Sequence, residues 1–113
     1  MSYNIYYLDD EETLCELFED FLASDNIKIT TFVDAEEAIK VTNEFPPDII
    51  FIDYRLIGIT GDEVAGRIPE SIPKILVTGE LAVKTKNKFY NIVNKPFSFN
   101  EIETLIDEIQ HGA

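Results

Sequence analysis

The 113 residues, 45% hydrophobic and 27% charged, suffice for one hydrophobic core and are too apolar for a disordered chain. A formal net charge of -13 sets the chain against polyanions, so nucleic acid is not an expected partner. The single cysteine, Cys15, excludes a disulfide within the chain and suits a reducing, cytoplasmic setting. The first apolar run, Ile5 to Leu8, lacks a basic leader and is too short for a signal peptide or a membrane span, so no membrane association is expected. With no repeat, low-complexity stretch or linker in view, residues 1–113 are expected to form one domain.

Apolar runs alternate with helical patterns. Tyr3 to Leu8 reads as a buried strand ending in acid. Leu14, Leu17, Phe18, Phe21 and Leu22 fall on one helical face, with Glu12, Glu16, Glu19 and Asp20 on the wet side. After the turn Ser24-Asp25-Asn26, the β-branched run Ile27 to Val33 predicts a second strand. Asp34 and Glu37 have capping-box spacing and open a helix that Pro46-Pro47 ends. Asp48 to Asp53 is a third strand, apolar between its terminal acids. Gly61 to Ile68 predicts a short helix closed by Pro69, and Pro73 to Val77 a fourth strand. Gly79 to Tyr90 has room for one or two helical turns. Asn91 to Asn94 predicts a fifth strand, and Ser98 with Glu101 caps a last helix whose apolar face is Ile102, Leu105, Ile106 and Ile109. Alternation of this kind predicts right-handed βαβ units, a parallel sheet covered on both faces, and ligand binding at the carboxyl ends of the strands.

What stands at those ends carries the chemistry. The first strand ends in Asp9-Asp10, the third in Asp53, the fourth in Thr78, and Lys95 follows the fifth. Taken alone, Asp9-Asp10 equally suits the start of an acidic helix. On one rim, however, three carboxylates repel unless a cation sits between them, and an oxygen-only donor set suits magnesium. A lysine and a hydroxyl beside such a site suit a phosphoryl group, which a carboxylate can accept as nucleophile. Cys15 and His111 are assigned no chemistry.

Leu8-Asp9-Asp10-Glu11, Ile52-Asp53-Tyr54-Arg55-Leu56, Gly61, Val77-Thr78-Gly79 and Lys95-Pro96-Phe97 occur in this order over essentially the whole chain. Together they resemble the receiver domain of two-component response regulators, in a stand-alone, chemotaxis-regulator-like form. The resemblance implies an α/β, doubly wound, flavodoxin-like fold with a five-stranded parallel sheet in the order 2-1-3-4-5. It implies Asp53 as phosphoacceptor, with Thr78 as the hydroxyl that turns toward the phosphoryl group and Lys95 as its ion-pair partner. Asp10 and Asp53 would hold Mg2+ directly, Asp9 mostly through water, and Arg55 through its backbone carbonyl. The Lys95-Pro96 bond would be cis. A sensor histidine kinase, a phosphotransfer protein or a small acyl phosphate would be the donor, and a downstream protein the target, with the chain a monomer or weak dimer. The domain would assist its own phosphorylation and dephosphorylation without being an enzyme in the ordinary sense.

Two departures stand out. Only twelve residues, Gly79 to Tyr90, separate the last two strands, so the fourth helix is expected to be a stub or a loop, and the third, ending at Pro69, is expected to be shortened as well. Ile92 stands where many members carry a switch aromatic, which sets the usual coupling to Thr78 aside. Arg55 and Glu80 are expected to pair across the site. Lys84, Lys86 and Lys88 suit either a solvated loop or a docking patch for an acidic partner. The alternative function is a protein-binding module on the same fold that needs no phosphate. A magnesium-dependent phosphohydrolase with an aspartyl nucleophile ranks below both, because the Asp-x-Asp motif of that class is missing.

Overall fold

Strand and helix alternate along the chain as the apolar periodicities predict. The structure, a computed structural model, describes residues 3–112. The elements are β1 (Tyr3–Leu8), α1 (Glu12–Leu22), β2 (Ile27–Phe32), α2 (Ala35–Glu44), β3 (Ile49–Asp53), β4 (Arg55–Leu56), β5 (Ile59–Thr60), α3 (Gly61–Ala65), β6 (Lys74–Thr78), β7 (Asn91–Asn94) and α4 (Phe99–Gln110). The main sheet runs β2-β1-β3-β6-β7, with every neighbouring pair parallel. Without the small hairpin β4-β5, this is the expected order 2-1-3-4-5. Among the described residues, no helix is long and apolar enough to cross a membrane.

The period-two alternation of side chains sorts the core into two layers. Ile5 and Tyr7 of β1, Ile49 and Phe51 of β3, Ile75 and Val77 of β6 and Val93 of β7 face α1 and α4, where they meet Phe18, Leu22, Ile102 and Ile106. The intervening residues Tyr6, Leu8, Ile50 and Ile52 face α2 and α3 and pack on Ala38, Ile39, Val64 and Ala65. The predicted caps are in place: Glu37 N donates to Asp34 Oδ2 at 2.9 Å, and Glu101 N to Ser98 Oγ at 3.2 Å. Each is worth about 1 kcal/mol.

The third helix is shorter still than the expected Gly61 to Ile68, ending at Ala65. Gly66 is a poor helix residue, and Pro69 soon bars continuation. In the last crossover the shortening goes to completion, and residues 79–90 contain no helix. A twelve-residue helix would be about 18 Å long. That matches the roughly 17 Å of a five-residue strand such as β6 and leaves nothing for the turns at either end. The chain returns without regular secondary structure instead. Lys84, Lys86 and Lys88 are exposed, while Val83, Thr85, Asn87 and Phe89 are partly buried between them. With no helix over this part of the sheet, Ile92 stays 42% exposed although its neighbour Val93 is buried.

Asp62, in the first turn of α3, ties this crossover down. Its buried carboxylate accepts from Lys86 N at 2.7 Å and Asn87 N at 3.0 Å, and Asn87 Nδ2 donates back to Asp62 O at 2.8 Å. Asp62→Ala leaves both amides without that acceptor, at an expected cost of about 2 kcal/mol. Urea denaturation should show the loss, with faster amide exchange at Lys86 and Asn87. A change under about 0.5 kcal/mol with unaltered exchange would mean that Asp62 does not anchor the segment.

The hairpin β4-β5 was not anticipated, being too short to carry a periodicity. Gly58, at φ 76°, supplies the left-handed residue that its tight turn requires.

Candidate functional site

The parallel strands end nearly level, since Leu8 is paired with Ile52, Asp53 with Val77 and Thr78 with Asn94. Residues at or just after those ends therefore share one rim. Asp9, Asp10 and Asp53 each offer a carboxylate oxygen, and the three oxygens lie within 4.8 Å of one another. Lys95 Nζ reaches across the same rim, 3.0 Å from Asp9 Oδ2 and 3.1 Å from Asp53 Oδ1. Acids and lysine thus converge from the ends of three strands, β1, β3 and β7.

Each member is held differently. Asp9 is fully buried. Its Oδ1 accepts from Glu11 N at 3.0 Å, and its Oδ2 accepts from Lys95 Nζ and from the Tyr7 hydroxyl at 2.6 Å. Asp10 is only partly buried. Asp53 is buried at the end of β3, where burial first, and then the charge of Asp9, raise its carboxyl to about 6 against the partial opposition of Lys95. At Lys95 burial works against the charge. The hydrogen bond and charge of Asp9, followed by those of Asp53, outweigh it and hold the amine above its ordinary range.

Gly61 explains how the loop after β3 can close so tightly. Its N–H donates to Tyr54 O at 2.8 Å, and a Cβ at this position would lie 2.5 Å from Asp53 O. No side chain fits there without displacing the backbone that carries Asp53.

Thr78 is buried, and its Oγ1 accepts from Glu80 N at 3.0 Å. Thr78 O accepts from Lys95 N at 2.7 Å, which ties the loops after β6 and β7 together. The Lys95-Pro96 bond is cis. Arg55 lies two residues past Asp53 and pairs with Glu80 as expected, through Nε to Oε2 at 2.9 Å and Nη2 to Oε1 at 3.1 Å. The guanidinium also sits 5.5 Å from the centre of the Tyr54 ring. This bridge is exposed, so its value lies in spanning the two loops more than in stability.

The oxygen-only donor set fits a hard divalent ion. At the 2.0–2.1 Å bond lengths of magnesium, opposite ligands stand roughly 4.2 Å apart, within the spread of these three carboxylates. The residue missed from the sequence is Tyr7, whose hydroxyl reaches Asp9. It stands within an apolar strand run, and nothing in that run marks a site.

The response regulator receiver domain family matches residues 5–107. The transcriptional regulatory protein YrkP of Bacillus subtilis is 24% identical over 113 residues, covering 94% of this chain and 48% of that protein. The chain spans about half the length of the curated relatives it matches, or less. Among solved structures, response regulator protein TrrA of Thermotoga maritima, in complex with Mg(2+)-BeF, gives a TM-score of 0.83 at 28% identity. The match covers 96% of this chain and 99% of that one. A CheY-like receiver domain from Methylobacillus flagellatus gives 0.84 at 16% identity, again over 96% and 99%, a likeness of fold.

Proposed function

The chain belongs to the response regulator receiver domain family, and from that premise we propose that it takes up a phosphoryl group on Asp53 and signals by binding another protein. The observation that carries the reading is Lys95 Nζ placed 3.0 Å from Asp9 and 3.1 Å from Asp53 inside a cluster of three carboxylates. A carboxylate oxygen of Asp53 attacks phosphorus and forms the acyl phosphate, while the bond from phosphorus to the donor's nitrogen or oxygen breaks. The Lys95 ammonium neutralises the incoming phosphoryl oxygens. The Thr78 hydroxyl, now bound by Glu80 N, turns to donate to the same oxygens. Asp10 and Asp53, with the backbone carbonyl of Arg55, are the proposed direct magnesium ligands, and Asp9 would act mostly through water; bound there, the ion would supply charge neutralisation and orientation.

The donor is proposed to be a sensor histidine kinase, a phosphotransfer protein or a small acyl phosphate. A downstream protein reads the result, because the charge added at Asp53 biases the loops that Thr78 and Lys95 join. One observation favours a module that needs no phosphate: the crossover 79–90 has no helix and Ile92 lies exposed, so the surface that would relay the change is reduced.

Magnesium with acetyl phosphate separates the readings. A stoichiometric adduct on Asp53, seen by intact mass and absent from Asp53→Asn, is expected. Absence of any adduct favours the binding module. Continuous release of phosphate without a lasting adduct points to a hydrolase.

A further inference from the structure

We propose that Tyr7 is a positioning residue for phosphoryl uptake, its hydroxyl keeping Asp9 hydrogen-bonded while Lys95 leaves to serve the phosphoryl group. The inference rests on Asp53 being the acceptor and extends it to a residue one shell further in.

Asp9 is fully buried and has three donors: Glu11 N, the Tyr7 hydroxyl and Lys95 Nζ. The last two share one oxygen, Oδ2. The donors differ in mobility. Glu11 N is backbone at the start of α1. The Tyr7 ring is clamped, stacked on Phe18 at 4.2 Å between centroids and 5° between planes, with Phe18 in turn edge-on to Phe51 at 5.1 Å. Lys95 is different, a flexible side chain that already divides its ammonium between Asp9 and Asp53.

A phosphoryl group on Asp53 brings new negative oxygens to the place where that ammonium sits. Lys95 can meet them only by weakening its hold on Asp9. A buried carboxylate reduced to one backbone donor would resist that transfer. The Tyr7 hydroxyl, 2.6 Å from Oδ2 and unable to follow the lysine, keeps the oxygen satisfied and lets the ammonium go. The ring is needed for the core in any case, and phenylalanine would pack equally well. The hydroxyl is the part that calls for a role.

The test uses Tyr7→Phe in the full chain, with magnesium-beryllofluoride as probe and calorimetry as readout. Losing a donor to a charged acceptor should weaken beryllofluoride binding roughly tenfold, with affinity for magnesium alone changed less than twofold. If the parent protein fails to bind beryllofluoride, the acceptor reading falls, and this inference with it. If the parent binds and Tyr7→Phe binds equally well, only the Tyr7 inference falls. Equal weakening of magnesium and beryllofluoride binding also overturns it, because the hydroxyl would then be structural alone. A measurement on the parent does not depend on the variant folding: the buried Tyr7 hydroxyl proton should remain visible by NMR in the beryllofluoride complex. Its disappearance into fast exchange on loading would show that the bond to Asp9 is not kept, and would overturn the proposal.

Discussion

Lys95→Met is expected to destabilise the metal-free protein by about 3 kcal/mol or more at pH 7. The ammonium lies between two buried carboxylates, 3.0 Å from Asp9 and 3.1 Å from Asp53, and among the described residues no other cationic side chain pairs with either. Methionine keeps most of the apolar stem, so the loss is one of charge. With the ammonium gone, the carboxylates face each other in a site where Asp53 already holds its proton up to about 6. Asp53 should then hold its proton more tightly still. Its folded-state affinity for that proton exceeds the unfolded one. The deficit should therefore shrink as pH falls toward 5 and grow as pH rises toward 7. Magnesium should narrow it as well by restoring a positive charge to the cluster. Urea denaturation at pH 5 and pH 7, each with magnesium or with a chelator, reads all of this. Equal stability of variant and parent at pH 7 in chelator would refute the argument. A deficit indifferent to both pH and magnesium would assign Lys95 to packing.

The acids and the lysine could be read from the sequence because each stands where an apolar strand run stops, and parallel topology brings such positions to one rim. The caps at Asp34 and Ser98 were legible for a related reason: a cap and its partner are three residues apart, so the signal is local. Arg55 and Glu80 are far apart in sequence. Their pairing was readable only because each lies two residues beyond a residue already placed on the rim. Where these aids were missing, the reading stopped. Asp62 looks like an ordinary acid in the first turn of a helix, and its partners Lys86 and Asn87 are backbone amides 24 and 25 residues away. Backbone donors leave no trace in residue identity. The twelve-residue crossover could be seen to be short, but whether it kept a helical turn depended on that tether. Tyr7 was hidden differently. A tyrosine in a buried strand registers as an apolar residue, and its hydroxyl finds Asp9 only in the folded structure.

Asp53→Asn is expected to stabilise the metal-free protein at pH 7 by on the order of 1–2 kcal/mol, while removing the proposed acceptor. Burial and the nearby Asp9 charge raise the Asp53 carboxyl from 3.8 to about 6 in the folded state. Between those values the folded protein binds more protons than the unfolded one, so its stability falls as pH rises. Below pH 4 the penalty is absent, and above pH 6 it is complete. At about 1.4 kcal/mol per pKa unit the full penalty approaches 3 kcal/mol. That value already includes the opposing pull of Lys95, so asparagine escapes the net penalty, and solvent screening at the rim of the sheet leaves the smaller figure. Parent and variant should therefore converge near pH 4 and separate by pH 7. Thermal melts in chelator across that range would show it, and a gap that ignores pH would contradict the electrostatic account. Magnesium should reverse the order of effects. A ligand stabilises in proportion to how well it binds the folded state, and the parent offers it a third carboxylate where the variant offers an amide. The parent should gain more from the ion than the variant does. The repulsion that weakens the empty site is the same interaction that a cation, and then a phosphoryl group held by Lys95, would relieve.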